Sequence, residues 1–442
     1  MQLLYNLLFS IFFVVASPYY FLKMWRRGNW TAGFEQRFGR YDTKVRQAVT
    51  NRDVLWLHAV SVGEVNICTQ LIAALEPRVP NLKLVVSTTT STGMAELNKK
   101  LPTRILRIYY PIDRRGIVRR AFSKFGVIGV VLIEAEIWPN FLWYLADRQI
   151  PTFLVNTRLS DKSFRGYQRF GFLFRKIFAS FAGVGVQNES DAARVRDLGC
   201  RPEAIRIVGN LKFDAAKLDE RLPMNVAGFL RQLHVAPDAP VIVAGSTHDG
   251  EEALLAEQFL RLRERHPGLF LILVPRHFER TKAVSKELES RGVKFCLRTE
   301  VTDRREFKPG DIDCLLVNTT GELRFFYQHA TVIFVGKSLT AEGGQNPIEP
   351  GALGKAMVFG PNMQNFEPIA NAFVSRNGAV QVPDAAGLEL ALDDLLANEP
   401  RRAELGRNAL AVVRENQGAI ERTVDMIVEN LKLYGVYVAA KE

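Results

Sequence analysis

The segment WLHAVSVGEV, residues 56–65, contains the pattern that decides the fold: an apolar run, a glycine turn and a helix start. A buried strand is predicted over Val54–Ala59. Gly63 permits a tight turn and close approach of a ligand, and Glu64 begins a helix whose amino terminus favours negative charge. A strand that leads directly into a helix is the repeating unit of a parallel α/β sheet. The segment therefore predicts a doubly wound α/β domain.

The same alternation continues through the first half of the chain. The further strands predicted there are Lys83–Thr88, Val127–Ile133, Thr152–Asn156, Val184–Gln187 and one near Ile205–Val208. Helical patterns include Glu64–Glu76 and Glu189–Leu198, and the polar stretch Leu211–Asn225 is predicted to be a linker.

The second half restarts this alternation after the linker. Its predicted strands are Val241–Gly245, Leu269–Pro275, Asp313–Val317, Val332–Gly336 and Ala356–Gly360. Helices are expected from about Asp384 onward. A chain of 442 residues is too long for one core, so we expect two doubly wound domains, 25–215 and 216–442, after an amino-terminal anchor, 1–24. Ligands of such sheets bind at the carboxyl ends of the strands, and a cleft is expected there, between the two domains.

Composition narrows the possible partners. The net charge of +11 favours an anionic partner: a phosphorylated small molecule, an anionic membrane surface or nucleic acid. No zinc-finger spacing, RNP-type motif or long basic run is present, so nucleic acid is not expected as a partner. The four cysteines form no CxxC pair, which predicts free thiols. The six histidines show no HxxxH or HExxH pattern, and no metal site is predicted.

The amino terminus has the composition of a membrane anchor. Leu3–Leu22 contains no charged residue and is long enough to cross a bilayer. The residues that follow are basic and aromatic: Lys23, Trp25, Arg26, Arg27 and Trp30. The positive-inside rule therefore places the rest of the chain in the cytoplasm. A buried helix, or one lying in the membrane interface, stays open because three residues weaken a span: Asn6, Ser10 and Pro18.

Two glutamates and a lysine are candidates for chemistry in the first half. Glu64 follows the first strand and Glu134 ends the apolar strand of VVLIEAEIWPN, so both could lie at the ligand edge and act in sugar chemistry. The alternatives are that Glu64 only stabilises its helix start and that Glu134 forms an ion pair, with Arg158 or Lys212. Lys212 in VGNLKFD could stabilise a departing phosphate or simply be solvated.

Three motifs in the second half suit a nucleotide phosphate. They follow strands and contain an arginine, glycine turns or a glutamate: VPRH with Pro275 and Arg276, TTGEL with Gly321, Glu322 and Leu323, and GGQNPIEP with Asn346, Pro347, Ile348 and Glu349. Each of them alone is compatible with an ordinary turn. Neither GxGxxG nor GxxxxGKS is present, which argues against a dinucleotide or P-loop site. A separate segment, Ser163–Phe181, mixes basic residues with phenylalanines and either lies against lipid or packs its phenylalanines into the core.

Six motifs, taken together and in their order along the chain, resemble those of the 3-deoxy-D-manno-octulosonic acid (Kdo) transferase family of Gram-negative bacteria. They are SVGE, EAEIWPN, NLKFD, VPRH, GEL and GGQNPIEP. The resemblance spans nearly the whole chain. It implies the GT-B glycosyltransferase fold, CMP-Kdo as donor and no cofactor. It also implies the lipid A precursor lipid IVA as acceptor, at the cytoplasmic face of the inner membrane, in lipopolysaccharide biosynthesis.

The resemblance also implies residue roles. Glu64 matches the family's general base, and Glu134 and Lys212 match residues assigned to transition-state stabilisation. The CMP contacts match Pro275 and Arg276, Gly321 to Leu323, and Asn346 to Glu349. The implied reaction is a single inverting displacement without a metal.

The chain departs from the family pattern at two positions. Gln345 stands where the family usually has histidine, which puts in doubt any role of that position in protonating the leaving group. Lys337 stands where a second glycine is common, a change expected to alter the phosphate pocket. The competing hypotheses are a UDP-sugar-dependent glycosyltransferase or epimerase of the same fold and a non-catalytic, membrane-tethered lipid-binding protein.

Overall fold

The computed structural model of the chain describes residues 2–26, 31, 33–134, 136–214, 224–302 and 304–440. They form two compact units: Met1–Ala215 together with Gln417–Glu442, and Ala216–Asn416. Each unit contains one seven-stranded sheet in which every strand pair is parallel. The prediction of two doubly wound α/β domains is confirmed.

The first unit has the strand order β3-β2-β1-β4-β5-β6-β7. Its strands are β1 Asp53–His58, β2 Lys83–Thr88, β3 Leu106–Tyr109, β4 Gly126–Ile133, β5 Thr152–Thr157, β6 Gly183–Val186 and β7 Ile205–Ile207. Its helices are α1 Gln2–Arg26, α2 Thr43–Val49, α3 Val62–Leu75, α4 Ser91–Lys100, α5 Arg115–Phe122, α6 Pro139–Asp147, α7 Asp161–Arg169, α8 Gly171–Ser180, α9 Glu189–Asp197 and, near the chain end, α18 Ala419–Leu433.

The second unit has the strand order β10-β11-β9-β8-β12-β13-β14. Its strands are β8 Val241–Thr247, β9 Phe270–Pro275, β10 Phe295–Leu297, β11 Cys314–Leu316, β12 Val332–Val335, β13 Met357–Phe359 and β14 Val380–Gln381. Its helices are α10 Val226–Gln232, α11 Glu251–Arg265, α12 Thr281–Ser290, α13 Leu323–Gln328, α14 Ile348–Ala352, α15 Glu367–Ser375, α16 Ala385–Ala397 and α17 Glu399–Asn416.

Both faces of the first sheet are covered by helices. Side chains of α5, α6, α8 and α9 join one apolar core, and side chains of α3, α4 and α18 join the other. Strands covered on both faces have near-continuous apolar runs, which is why eleven strands were predicted from such runs. The three missed strands, β3, β10 and β14, are short and lie at sheet edges. The four cysteines are buried and free, as predicted.

The predicted extent of the second domain, 216–442, is wrong at its end. Gln417–Glu442 belongs to the first unit because the apolar side of α18 is buried in the first unit's core. The predicted linker is also too long: Leu211 and Asp214 are buried in the first unit, and Asn225 caps α10 by accepting a hydrogen bond from the backbone of Gly228. The middle of the predicted linker, 215–223, lies outside the described residues.

The predicted anchor corresponds to α1, which is long and apolar enough to cross a membrane. Arg27 and Trp30 lie outside the described residues, and only the helical backbone is described at Lys23 and Arg26. The orientation derived from these basic residues stays a prediction.

The basic segment Ser163–Phe181 packs some of its aromatic side chains into the core, as one of the two interpretations predicts, and exposes others. Phe178 is fully buried, and the rings of Phe174 and Phe178 pack edge-on to Tyr167. Phe170 and Phe172 are exposed. The segment therefore contributes to the core and also presents an aromatic surface.

Candidate functional site

Glu64 lies at the carboxyl end of β1, in the first turn of α3. Its carboxylate accepts hydrogen bonds from the backbone N–H of Val60 at 2.8 Å, from the hydroxyl of Ser61 at 2.7 Å and from the backbone N–H of Ser61 at 3.3 Å. Ser61 in turn accepts from the backbone N–H of Glu64, which completes a capping box. Glu64 therefore does stabilise its helix start, and an ionised carboxylate with three donors still has room for one more.

The surroundings of Glu64 suit a proton acceptor. Burial raises the pKa of Glu64; the hydrogen bonds from Ser61 and Val60 lower it, and the negative charges of Glu134 and Glu136 raise it further. A deprotonated carboxylate whose pKa is raised accepts a proton more readily than an ordinary one. The structure thus brings the two predicted glutamates together with a third, Glu136.

Glu134 occupies a strained position at the end of β4. Its φ of 61° is left-handed, a conformation that costs a residue with a side chain about 1–3 kcal/mol and recurs at functional sites. Its carboxylate lies 3.6 Å from the ammonium of Lys212. Of the two ion-pair partners considered for Glu134, Arg158 and Lys212, the structure therefore shows a pair with Lys212. Both side chains are about one-third exposed, which leaves the pair accessible to a ligand.

Asn156 was missed by the sequence reasoning and links these groups. Its side-chain amide donates to Glu134 at 3.4 Å, and its side-chain oxygen accepts from Gln187 at 3.3 Å and from the backbone N–H of Leu211 at 3.1 Å. Asn156 is fully buried and has a φ of 54°. The sequence does contain a signal for Asn156, because an amide at the end of a buried apolar strand must find polar partners.

The side chain of Glu136 is held by Trp138, two residues further along the same motif. Its carboxylate accepts from the indole N–H of Trp138 at 2.9 Å. Burial raises the pKa of Glu136, the bond from Trp138 lowers it, and the charge of Glu134 raises it. Two residues further on, the first turn of α6 is fixed by Asp113, whose carboxylate accepts from the backbone N–H groups of Asn140 and Phe141.

In the second unit, the three motifs predicted to bind a nucleotide follow strands β9, β11 and β12. Arg276 comes directly after Pro275, the last residue of β9; its backbone N–H donates to the carbonyl of Thr247 and its side chain is exposed. The carboxylate of Glu322 accepts from the hydroxyl of Thr319 at 2.6 Å and pairs with Arg298 at 3.2 Å. Gly321 has a φ of 84°, which only glycine adopts at low cost.

The GGQNPIEP motif forms the turn into the short helix α14. Asn346 accepts from the backbone N–H of Ile348 at 3.1 Å and donates to Glu349 at 3.3 Å, while Pro347 and Ile348 are buried. Burial raises the pKa of Glu349; the bond from Asn346 and the positive charges of Arg324 and Arg276 lower it. The charge of Arg276 therefore acts on Glu349, so the structure brings residues of these two motifs near each other.

Two further residues of this site were not predicted. Arg324, at the start of α13, acts on Glu349 from the side of the GEL motif. Glu251 is fully buried and its carboxylate accepts from the backbone N–H groups of Lys337, Ser338 and Leu339. Lys337 is held there with a φ of 55°, and its carbonyl accepts from Gly344. Over the described part of the chain, no group of three or more His, Cys, Asp or Glu side chains is arranged to hold a metal ion.

Comparison with known proteins points to the same family as the sequence motifs. Residues 32–215 match the family model for 3-deoxy-D-manno-octulosonic-acid transferase (kdotransferase). A 3-deoxy-D-manno-octulosonic acid transferase of Bordetella pertussis is 32% identical over 93% of this chain and 96% of its own length. The protein of the same name from Haemophilus influenzae is 31% identical over 84% of this chain and 86% of its own length.

Among solved structures, the UDP-GlcNAc 2-epimerase of Neisseria meningitidis has a TM-score of 0.57 and 14% identity, covering 86% of this chain and 100% of its own. At this identity the likeness shows the fold alone. The fold is thus that of the GT-B glycosyltransferases and related epimerases, whereas the sequence relatives fix the family. The chain therefore belongs to the 3-deoxy-D-manno-octulosonic acid (Kdo) transferase family of glycosyltransferases.

Proposed function

We propose that the chain transfers Kdo from CMP-Kdo to the lipid A precursor lipid IVA, at the cytoplasmic face of the inner membrane, by a metal-independent inverting displacement. The observation that carries the proposal is the grouping of Glu64, with its raised pKa, beside the Glu134–Lys212 ion pair at the carboxyl end of a parallel sheet. The Kdo part of the proposal is supported by the family; the acceptor, the membrane face and the residue roles rest on the motif resemblance.

The proposed step is one displacement at the anomeric carbon of Kdo. The acceptor hydroxyl gives its proton to Glu64 while its oxygen forms the new bond to the anomeric carbon. The bond between that carbon and the phosphate oxygen of CMP breaks, and CMP leaves with the electron pair. Lys212, paired with Glu134, is positioned to stabilise negative charge as it develops.

In the second unit, Arg276 and Arg324 supply positive charge around Glu349, and we assign them to the CMP phosphate and the Kdo carboxylate. Pro275, Gly321, Glu322, Leu323, Asn346, Pro347 and Ile348 are assigned to the walls of the CMP site. Gln345 can donate a hydrogen bond but cannot act as an acid at neutral pH, so the leaving phosphate departs without acid catalysis from that residue.

The proposal is tested by incubating the protein with CMP-Kdo and lipid IVA and weighing the lipid product by mass spectrometry. A mass increase corresponding to one or more Kdo residues is expected. Protection against thermal unfolding should be given by CMP and not by UDP. Protection by UDP alone would favour the UDP-sugar alternative, and donor binding without any product would favour the non-catalytic one.

The role of Glu64 has its own test. Glu64→Gln is expected to lower transfer at least about 100-fold, because the amide cannot accept the proton, yet it should leave CMP binding unchanged. Glutamine also serves in a capping box, so the fold should survive. The matched control is Glu203→Gln, an exposed residue paired with Arg201, which should retain full activity. Full activity in the Glu64 variant would remove this residue from the mechanism.

A further inference from the structure

Helix α1 has an inverted distribution of polar and apolar side chains. Half-buried positions recur at helical spacing, at Tyr5, Asn6, Phe9, Ser10, Phe13, Ala16 and Ser17. Three of them are polar: Asn6, Ser10 and Ser17. The other side is apolar and each of its side chains is 52–75% exposed: Leu4, Leu7, Leu8, Ile11, Phe12, Val14 and Val15. A helix on a water-soluble domain turns its apolar side inward. The surface that α1 presents therefore suits an apolar medium.

Four residues, here called the latch, fasten the amino-terminal end of α1 to the first unit: Tyr5, Asn6, Asp113 and Asn140. The hydroxyl of Tyr5 donates to the carboxylate of Asp113 at 2.7 Å. The side-chain amides of Asn6 and Asn140 exchange two hydrogen bonds, at 3.0 and 3.1 Å. The ring of Tyr5 also stands edge-on to Trp143, with 5.5 Å between ring centres.

The chain that follows α1 returns to the same place. The backbone N–H of Ile112 donates to the carbonyl of Arg37 at 2.8 Å, next to the residue that holds Tyr5. From Asn6 to Arg26 the helix rises about 30 Å, the thickness of a bilayer core. In a spanning helix, Tyr5 would lie on the far side of the membrane from Asp113. The latch and a transmembrane span are therefore incompatible.

We propose that α1 lies in the plane of the membrane surface, latched to the first unit, with its apolar side in the lipid, and that it does not span the bilayer. The occupant of that side is a lipid bilayer with anionic headgroups. Helix α6, which carries Asn140, packs on α8, and α8 packs on α7. Along α7 and α8, exposed Phe170 and Phe172 accompany exposed basic residues: Arg165, Arg169, Arg175 and Lys176. Lipid tails match the apolar side of α1, and anionic headgroups match these cations.

The latch also joins the membrane to the site. Asn140 and Phe141 lie in the first turn of α6, immediately after the loop that holds Glu136 and Trp138. A helix lying in the lipid at this point sets the depth of that loop relative to the bilayer surface. A lipid acceptor would then reach the carboxylates without leaving the membrane. This inference rests on the proposed membrane attachment, not on the identity of the donor.

The first test is topological. A hydrophilic, protease-cleavable tag is placed before Met1 of the full chain, and protease is added to intact spheroplasts and to lysed ones. Cleavage only after lysis is expected, as for a control with the same tag after Glu442. Cleavage of the amino-terminal tag in intact spheroplasts would show that α1 spans and would overturn the inference while leaving the proposed transfer intact. Absence of the protein from the membrane fraction would overturn the attachment itself.

The second test addresses the latch. Asn6→Cys with Asn140→Cys should form a disulfide in oxidised membranes, because the two native side chains touch and the four native cysteines are buried. Leu7→Cys with Asn140→Cys is the matched control and should form none, since Leu7 points away from the unit and is 60% exposed. Equal cross-linking of the two pairs, or none in either, would overturn the latch.

Discussion

At the residue scale, Glu64 combines two roles that the sequence left as alternatives. It closes the capping box of α3, and it lies buried within reach of the charges of Glu134 and Glu136. The first role fixes the carboxylate in one rotamer, and the second keeps its pKa high. An oriented carboxylate with a raised pKa follows from these two local facts, and it is what the proposed general base requires.

The raised pKa of Glu64 predicts where transfer is lost on acidification. The base acts only when deprotonated, so kcat/KM should fall as the pH drops through a value above the usual 4.3 or so of a glutamate. Glu136→Gln removes one of the charges that raise this pKa, so the acidic limb should move to lower pH. The limb should stay in place in Glu203→Gln. A limb that moved to higher pH in the Glu136 variant would contradict this account.

The left-handed backbone of Lys337 predicts that glycine at this position would stabilise the protein. Its φ of 55° is unfavourable for any side chain but costs glycine little. Lys337→Gly keeps the backbone hydrogen bond to Glu251 and should raise the free energy of unfolding of the second unit by about 1 kcal/mol. Scanning calorimetry would show this as a higher transition temperature.

The control for Lys337→Gly is Lys286→Gly, at an exposed position in the middle of helix α12, which should lower stability by about 1 kcal/mol. If Lys337→Gly destabilised the protein as much as the control, the lysine side chain, rather than the backbone, would hold the loop.

At the scale of elements, the returning helix α18 depends on one residue of the NLKFD motif. Asp214 is 3% exposed, and its carboxylate accepts from the backbone N–H groups of Gly418 and Ile420, both at 2.7 Å. The motif therefore has a structural function at its last residue as well as a candidate catalytic one at Lys212. Its polar side chains serve two different elements of the same unit.

Asp214→Ala should destabilise the first unit by about 2 kcal/mol, because two backbone donors at the start of α18 lose their acceptor. Asp214→Asn keeps one oxygen and should lose less. All five tryptophans of the chain lie between residues 25 and 143, so their fluorescence reports the unfolding of this unit in urea. An alanine variant as stable as the native protein would show that water replaces the carboxylate without cost.

At the scale of the whole molecule, the first unit is built from both ends of the chain. Residues of α18 buried in its core include Ile420, Val424, Met426, Ile427, Val428 and Leu431. Burying six such side chains contributes about 10 kcal/mol or more, which is comparable with the entire stability of a domain. The first unit therefore requires the carboxyl terminus, although the second unit separates the two in sequence.

A fragment of residues 1–416 is thus expected to leave the first unit unfolded. Its tryptophan emission should be shifted to the red, since Trp56 is fully buried in the native fold. The matched fragment 224–416, which contains the described part of the second unit, should unfold cooperatively by circular dichroism. A native tryptophan spectrum in residues 1–416 would contradict the contribution assigned to α18.

Much of the fold could be predicted from the sequence, because strands buried on both faces must be apolar along their whole length. Val127–Ile133 and Val332–Gly336 were found within one residue of β4 and β12. The start of α3 was predicted two residues late: Gly63, expected in a tight turn before the helix, is the second residue of α3, and Glu64 is the third. Strand β3, which is half-buried at its start and contains Arg107, carried no such signal.

The sequence by itself determined the alternation of strands and helices, the two doubly wound domains and the order of the motifs that mark the family. These depend on periodicity and on neighbours along the chain. Only the tertiary structure decided that α18 completes the first unit, that Asn156 joins Glu134 to the Leu211 turn, and that α1 is latched through Asp113. Those contacts join residues 22 to more than 200 positions apart, and no local pattern specifies which distant polar groups will satisfy one another.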